Sequence, residues 1–301
     1  MVSHDLVLAR KRLAIIQNPV SGGSSGFLER TLRCLETLKI DFEVIRTQRA
    51  GDGVKLARQI VTEPDWDAVA VAGGDGTCNE VACGLLGSQV SMGVIPIGTA
   101  NVLSAEIGMG KTPESIAHTL AYGGVRSVCL GRMNDRIFLL MVGSGWDARV
   151  VAGVSSRVKK VLGKWVYALQ AVKQILKVPS SNLQVMYGNQ REEGDWVLVC
   201  NAGHYGGRYL IAPQARMEEP SFQVMIFKGN GPLDRIKDLL VLWIGRPNLR
   251  KNLRIFETDT VHITGGQSEW VQVDGDPAGY LPVDISIAPH RLNLIVPVST
   301  T

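Results

Sequence analysis

The sequence contains no apolar run long enough to cross a membrane. Its longest clean apolar run in the second half is Leu239–Ile244, whereas a transmembrane helix needs about 20 residues. Met1–Arg12 carries Asp5 and ends in Arg-Lys-Arg, an order of charges that does not fit a signal peptide. The sequence also lacks any C-x-x-C pair among its five cysteines. We therefore expect reduced thiols in a cytoplasmic protein.

Two motif sets that often carry nucleotide chemistry are also missing. The absence of a G-x-x-x-x-G-K-S/T loop excludes a P-loop enzyme, and the absence of H-R-D and D-F-G excludes a protein kinase. The formal net charge is only +4, and residues 155–178 carry much of the basic excess without any acid. Those basic residues are Arg157, Lys159, Lys160, Lys164, Lys173 and Lys177. An excess confined to one segment argues against a nucleic-acid partner.

A glycine-rich stretch, Gly73-Gly-Asp-Gly-Thr77, follows the apolar run Val69–Ala72 and precedes a helical pattern. A strand that turns through glycines into a helix presents bare backbone N–H groups and the positive end of the helix dipole, which predicts a phosphate site. Asp75 would repel phosphate unless a metal ion or a hydroxyl lies between them, so the stretch indicates phosphoryl transfer. A glycine-rich turn that binds nothing remains the alternative for this stretch alone.

The first half of the chain alternates strand and helix patterns. Strands are predicted over 13–16, 42–47, 69–72 and 92–97, and helices over 27–38, 53–61, 78–86, 102–107 and 113–122. This alternation predicts a parallel sheet, which binds ligands at the carboxyl ends of its strands. Three strands end there in small polar loops, Asn18–Gly23, Gly73–Thr77 and Gly98–Asn101, and Thr47 ends the fourth. We expect these loops to converge on one edge.

After about Val125 the pattern changes to short strands separated by turn signals. Strands are predicted over 125–130, 137–142, 183–187, 196–200, 222–227, 261–264, 271–273, 283–287 and 292–296. Helical patterns interrupt them over 155–177 and 232–244. This half therefore indicates a second, mainly antiparallel β domain.

Six short motifs follow one another along the chain. They are Asn18-Pro-Val-Ser-Gly22, Gly73–Thr77 with Asn79-Glu80, Pro96-Ile-Gly-Thr-Ala-Asn101, Gly143-Ser-Gly-Trp-Asp147-Ala, Ile211-Ala-Pro-Gln-Ala215 and Asp274-Gly-Asp276. Each is weak alone, but all six in this order resemble the diacylglycerol kinase catalytic-domain family, which includes bacterial lipid kinases and sphingosine kinases. The resemblance covers nearly the whole chain.

The resemblance implies a fold of the α/β plus β class. An N-terminal Rossmann-like parallel α/β domain over residues 1–128 would bind ATP, and residues 290–301 would return to it. A C-terminal antiparallel β-sandwich domain over residues 129–289 would bind the lipid substrate.

The resemblance also implies roles for individual residues. The expected ATP-site residues are Asn18, Ser21, Gly22, Thr47, Gly73, Gly74, Asp75, Gly76, Thr77, Asn79, Glu80 and Thr99. The expected catalytic acids are Asp276, Asp75, Asp274 and Asp147, with Asp276 as the general base. Mg²⁺ would accompany ATP, with Asp75 nearby.

Two departures from the family pattern stand out. Val102 occupies a position where many members have an aspartate, which removes one acid from the usual charge network. A turn that binds a structural Mg²⁺ in some bacterial members reads Met217-Glu-Glu-Pro220 here. By position, Glu219 would be the side-chain ligand, helped by the carbonyls of Arg216 and Ser221, but Pro220 changes the turn and we do not expect the ion to bind.

The function predicted from these residues is ATP-dependent phosphorylation of a lipid hydroxyl, with diacylglycerol as the first choice of substrate. A sphingoid-base or ceramide kinase, an NAD kinase, and a regulator that binds lipid or nucleotide without catalysis remain alternatives. The sequence leaves open whether the protein forms a homodimer.

A membrane surface is a further expected partner. Residues 158–176 place Val, Leu, Ile and Trp side chains on one face of a predicted helix, flanked by the six basic residues. Apolar burial combined with attraction to anionic headgroups is typical of a peripheral membrane anchor. An apolar face that covers the β domain, with the lysines in solvent, is the alternative. We therefore expect a cytoplasmic protein that associates peripherally with anionic lipid.

Overall fold

The computed structural model describes residues 9–21, 25–63, 65–153, 181–229, 231–266 and 268–298. The chain divides into two compact units, of which the first comprises residues 1–128 and 290–301 and the second residues 129–289. None of the helices within the described ranges is both long enough and apolar enough to cross a membrane.

The first unit consists of strands that alternate with helices. Its elements are β1 (Arg12–Gln17), α1 (Ser25–Thr37), β2 (Asp41–Arg46), α2 (Asp52–Thr62), β3 (Ala68–Gly73), α3 (Asp75–Leu85), β4 (Ser91–Pro96), α4 (Val102–Glu106), α5 (Pro113–Tyr122) and the start of β5 (Gly124–Met133). Within the first unit, β5 contributes residues 124–128.

The sheet of the first unit is parallel. Its strands lie in the order β2-β1-β3-β4, and the last strand of the chain pairs with β4 through Leu294 and Met92. Every residue of β3 is buried, which explains why this strand consists of alanine, valine and glycine without alternation. The predicted parallel α/β arrangement is confirmed.

The second unit is built mainly from antiparallel strands. Its elements are the end of β5, β6 (Arg136–Phe138), β7 (Met141–Gly145), α6 (Trp146–Ala152), β8 (Leu183–Tyr187), β9 (Gln190–Gly194), β10 (Trp196–Cys200), β11 (His204–Tyr205), β12 (Tyr209–Leu210), β13 (Phe222–Phe227), α7 (Pro232–Trp243), a 3₁₀ helix (Pro247–Leu249), β14 (Leu253–Thr258), β15 (Thr260–Thr264), β16 (Trp270–Val273), β17 (Asp276–Tyr280) and β18 (Val283–Val296).

Two antiparallel sheets enclose the core of the second unit. One has the order β14-β13-β10-β7-β16-β17, and the other contains the start of β18 followed by β15, β8 and β9. Both sheets contribute apolar side chains to one buried cluster, including Val185 and Ile263 from the second sheet and Val199 and Phe222 from the first. The predicted α/β plus β-sandwich fold class is confirmed.

The strand predicted over 137–142 is wrong because the structure divides it into β6 and β7. The backbone N–H groups of Leu139 and Leu140, which lie between β6 and β7, and of Met141, the first residue of β7, donate to the carboxylate of Asp274. An N–H group engaged by a side chain is not available to a strand ladder, so the pairing is interrupted there.

The two strands predicted over 283–287 and 292–296 are also wrong in one respect, because β18 runs through both without a break. Residues 283–286 pair with β15 in the second unit, and residues from 290 onward belong to the first unit. The helix predicted over 232–244 is confirmed as α7. The basic amphipathic helix predicted over 155–177 lies outside the described residues.

We predict that Gly131→Ala destabilises the second unit. Gly131 of β5 pairs with Phe138 of β6, and a methyl group on Gly131 would overlap the aromatic ring. Overpacking of this kind costs ~1–3 kcal/mol, so the melting temperature should fall in thermal unfolding followed by circular dichroism. Gly124→Ala on the same strand is the matched control, because nothing lies within 4 Å of its added methyl group. Equal melting temperatures for the two variants would contradict this packing.

Candidate active site

The glycine-rich turn between β3 and α3 forms the centre of the site in the first unit. Gly74 is the N-cap residue of α3 and no side chain caps the helix. The N–H groups of Gly76 and Thr77 in the first helical turn are therefore placed as they are in anion sites. A Cβ atom on Gly73 would lie 2.8 Å from Cβ of Thr77, so the turn is tight enough to require glycine there.

A second loop crosses this turn in direct backbone contact. The loop follows β4, and a Cβ atom on Gly98 would collide with Cα of Gly74 and lie 2.8 Å from Oδ1 of Asn101. The side-chain amide of Asn101 donates to the carbonyls of Pro96 and Gly98 at 3.3 and 2.9 Å, which folds the loop on itself. The two predicted glycine loops thus meet at the carboxyl ends of β3 and β4, as the parallel sheet requires.

Asp75 joins the same two loops. Its Oδ1 accepts the N–H of Leu103 at 3.0 Å, at the start of α4, where an acidic group stabilises the helix dipole. Burial raises the pKa of Asp75, and hydrogen bonds from the N–H groups of Leu103, Val102 and Asn101 act in the opposite direction. Asp75 therefore contacts backbone of the neighbouring loop, a role that its position in the sequence does not reveal.

The loop after β1 reaches the glycine turn through Asn18. Its side-chain amide donates to the hydroxyl of Thr77 at 3.0 Å, and its carbonyl oxygen accepts the N–H of Val20. The N–H of Ser21 donates to the backbone carbonyl of Asn18 at 3.1 Å. Gly22 lies outside the described residues. The predicted convergence of this loop with Gly73–Thr77 is therefore present in the structure.

The remaining residues that were predicted to bind the nucleotide differ in their surroundings. Thr47 is buried and its N–H donates to the carbonyl of Gln17, so it holds the end of β2 against β1. Glu80 accepts the N–H groups of Gly51 and Gly53 at 2.9 and 3.1 Å, which fixes the start of α2. Asn79 accepts a hydrogen bond from the thiol of Cys83. Thr99 is exposed at the surface of the Gly98 loop.

In the second unit, the turn between β16 and β17 holds Asp274 and Asp276. Asp274 adopts a positive φ of 51° and its carboxylate accepts the N–H groups of three consecutive residues at 2.8–3.0 Å. Asp276 is half-buried at the start of β17 and pairs with Val273. The two aspartates therefore have different surroundings. Asp274 binds backbone N–H groups, and Asp276 follows the turn that Asp274 stabilises.

Gln272 is a residue of the candidate site that lies in none of the six sequence motifs. It is fully buried, its amide N–H donates to Oδ2 of Asp147 at 3.0 Å, and its amide oxygen accepts the N–H of Gly275 at 2.8 Å. One side chain thus connects Asp147 with the turn that precedes Asp276. The signal that could have revealed it is a glutamine between two buried valines, Val271 and Val273, because a buried amide requires partners on both sides.

Asp147 is buried at the start of α6, with 1% of its surface exposed. Burial raises its pKa to about 7, while hydrogen bonds from Gln272 and from the N–H of Ala148 act in the opposite direction. A carboxyl group with such a pKa is commonly found at functional sites, although it also occurs in structural networks.

The turn considered for a structural Mg²⁺ places few donors together. The carbonyl of Arg216 accepts the N–H of Glu219 at 3.0 Å, and the Glu219 side chain is exposed. Ser221 immediately precedes β13. Within the described ranges, no three histidine, cysteine, aspartate or glutamate side chains are grouped as metal ligands. Of the three residues expected to hold the ion, only Glu219 offers a carboxylate, which is a sparse donor set for Mg²⁺.

Comparison with known protein families identifies both units. The family profile described as the diacylglycerol kinase catalytic domain matches residues 12–133. The profile described as the YegS C-terminal NAD kinase beta sandwich-like domain matches residues 140–296, more than half of the 301 residues. The chain therefore belongs to the diacylglycerol kinase family, a family of lipid kinases, and the resemblance drawn from its six motifs is confirmed.

Individual relatives match over almost their whole length. A diacylglycerol kinase of Bacillus subtilis (strain 168) is 26% identical over 296 residues, which cover 95% of this chain and 97% of the relative. A diacylglycerol kinase of Staphylococcus carnosus (strain TM300) is 25% identical over 295 residues, with 96% of both chains covered. The crystal structure of a diacylglycerol kinase from Bacillus anthracis (strain Sterne) has a TM-score of 0.77 at 23% identity, covers 95% of this chain and 97% of that one, and supports the fold.

We predict that Gly98→Ala destabilises the first unit far more than Gly74→Ala. A methyl group on Gly98 would collide with the backbone of Gly74, whereas a methyl group on Gly74 would make an ordinary contact of 3.4 Å with Cα of Gly98. Backbone cannot move aside as a flexible side chain can, so Gly98→Ala should lower the melting temperature by several degrees, in keeping with a cost of ~1–3 kcal/mol. Melting temperatures in the reverse order would contradict the close crossing.

We also predict a pH dependence that originates at Asp147. Its pKa is raised from 3.8 to about 7, so the native state keeps a proton that the unfolded chain releases, and its contribution to stability falls as pH rises between these values. Asp147→Asn stays neutral and can still accept from Gln272, so its melting temperature relative to wild type should rise between about pH 5 and about pH 8. Glu193→Gln, which removes an exposed acid, is the control. Equal differences at both pH values would contradict a buried proton.

Proposed function

We propose that the protein phosphorylates a lipid hydroxyl with ATP, and that its substrate is diacylglycerol, which would become phosphatidic acid. The observation that carries this proposal is the meeting of three loops at the carboxyl ends of β1, β3 and β4, where Asn18 binds Thr77 and the Gly98 loop crosses Gly74. Membership of a lipid kinase family supports the choice of acceptor.

The nucleotide phosphates would bind at the uncapped start of α3. The N–H groups of Gly76 and Thr77 would donate to phosphate oxygens, and the helix dipole would favour their negative charge. Asp75 would act by fixing the position of the Gly98 loop, because its carboxylate is already engaged by the N–H of Leu103. Phosphoryl transfer depends mainly on such positioning and on electrostatics.

Mg²⁺ bound with ATP would neutralise charge that develops on the phosphate oxygens. The engaged carboxylate of Asp75 does not fit a direct metal ligand, so the phosphates themselves would supply most of the coordination. Glu219 and the carbonyls of Arg216 and Ser221 take no part in this proposal.

Asp276 would act as the general base. It would accept the proton of the lipid hydroxyl while the hydroxyl oxygen forms a bond to the γ-phosphorus, and the bond to the β–γ bridging oxygen would break with its electron pair leaving on ADP. Asp274 and Gln272 would position Asp276, because the first binds the N–H groups of Leu139–Met141 and the second binds the N–H of Gly275.

The proposal predicts that Asp276→Asn abolishes phosphorylation while the protein stays folded. Loss of a general base typically lowers kcat by ~10²–10⁴-fold. The assay offers labelled ATP with diacylglycerol, a sphingoid base, ceramide and NAD in parallel, in detergent micelles. Asp135→Asn, which changes an exposed aspartate in the turn between β5 and β6, is the matched control and should retain wild-type activity.

Three results would contradict parts of this proposal. A near-normal kcat in Asp276→Asn would show that Asp276 is not the general base. Exclusive phosphorylation of a sphingolipid or of NAD would show that this compound, and not diacylglycerol, is the substrate. Absence of label in every acceptor, with folded wild-type protein, would favour a non-catalytic regulator.

We further propose that the protein associates peripherally with membranes, since its substrate would lie in a bilayer. The basic segment over 155–177, with Lys159, Lys160 and Lys164, was expected from the sequence to provide this contact and lies outside the described residues.

A further inference from the structure

Helix α7 of the second unit presents an apolar face to solvent. Leu233, Ile236, Leu240, Trp243 and Ile244 have 72%, 50%, 53%, 66% and 46% of their surface exposed. Their spacing of three, four, three and one residues places them on one side of the helix. These five side chains form the α7 face.

The opposite side of α7 is charged and buried. Asp238 is almost completely inaccessible and receives a 2.6 Å ion pair from Nε of Arg250, which also binds Asp234 at 2.6 Å. The guanidinium of Arg235 is equally buried and lies 5.8 Å from the centre of the Trp196 ring. The usual arrangement of a surface helix is therefore largely reversed, because charged side chains occupy most of the buried side of α7, with Leu242 as its buried apolar residue, while five apolar side chains point outward.

Neighbouring residues extend the α7 face. β12 packs against α7, and its residues Tyr209 and Leu210 are 49% and 42% exposed. Leu249 of the 3₁₀ helix is also exposed. Single exposed apolar residues are ordinary on protein surfaces, but a contiguous set marks a site that contacts a partner or a membrane.

Within residues 231–252, the exposed charged groups beyond the Asp234 and Asp238 ion pairs are basic. Lys237, Arg246 and Lys251 are exposed within or just after the helix, and Arg208 immediately precedes β12. The acids of residues 231–252 are Asp234 and Asp238, and both are paired with Arg250. An apolar surface rimmed by uncompensated basic groups is complementary to an anionic bilayer. A second copy would bring like charges together across a symmetric contact, which disfavours self-association.

We propose that the α7 face binds the surface of an anionic lipid bilayer. The helix would lie in the plane of the interface, with Leu233, Leu240 and Trp243 in the acyl region and the basic groups against lipid phosphates. The choice of a bilayer over a protein partner rests in part on the proposed function, because a lipid kinase must reach a substrate held in a membrane.

The first test measures cosedimentation with sucrose-loaded vesicles in the absence of nucleotide. The vesicles contain phosphatidylcholine alone or mixed with phosphatidylglycerol. The triple variant Leu233→Gln, Leu240→Gln and Trp243→Gln should fold normally, because all three side chains are more than half exposed. Its partition coefficient on anionic vesicles should fall roughly tenfold for each side chain removed from the interface.

A matched control changes exposed apolar residues elsewhere. The variant Val125→Gln, Met186→Gln and Val298→Gln removes three such side chains from other elements and should bind vesicles like the wild type. Replacement of Lys237, Arg246 and Lys251 by alanine should weaken binding by about fivefold for each residue at low salt, and the difference should disappear at high salt.

Defined outcomes would overturn the assignment. Wild-type protein that does not bind anionic vesicles, or a triple α7 variant that binds as tightly as the control variant, would contradict it. A wild-type dimer that becomes a monomer on substitution of the α7 face, measured by analytical ultracentrifugation, would make the face a self-association surface. These readouts are independent of catalysis. Vesicle binding through α7 without any lipid phosphorylation would disprove only the proposed function, whereas phosphorylation in micelles without vesicle binding would disprove only this surface.

Discussion

The candidate site in the first unit depends on one carboxylate that is bound by backbone N–H groups. Asp75 begins α3, yet its hydrogen bond to Leu103 ties the start of α3 to the start of α4 across two strands of the sheet. Gly98 can then touch the backbone of Gly74 only because Gly98 carries no side chain. Backbone contacts therefore fix the crossing of the two loops, and under the proposed function the N–H groups at the start of α3 would need little reorganisation to bind phosphate.

Carboxylates that accept hydrogen bonds from backbone N–H groups occur in both units. Glu80 fixes the start of α2 through Gly51 and Gly53, and Asp274 binds three consecutive N–H groups that lead into β7. A carboxylate satisfies several backbone donors at once, so it can shape a loop that no strand or helix would stabilise. Under the proposed function, Asp75 and Asp274 would therefore position loops, and Asp276 would act as the base.

Much of the fold can be predicted from the periodicity of apolar residues, whereas the hydrogen-bond and ion-pair partners of the polar side chains cannot. The all-apolar run of β3 and the glycines after it predicted a parallel strand and its turn, because both reflect local geometry. The interruption between β6 and β7 depends on Asp274, more than 130 residues away in sequence. Gln272 lies in an alternating strand, where a polar residue normally faces solvent. The outward direction of the apolar side of α7 likewise depends on distant partners such as Arg250.

The unbroken course of β18 has a consequence for how the chain is assembled. Residues 290–296 complete a sheet whose other parallel strands end by residue 96, so the whole second unit is inserted within the sequence of the first. During synthesis the first unit lacks its fifth parallel strand until residues 290–296 have left the ribosome. Until then, β4 has an open edge, and unpaired edges are prone to pair with other chains. The sheet of the first unit therefore cannot be completed before the second unit has been synthesised.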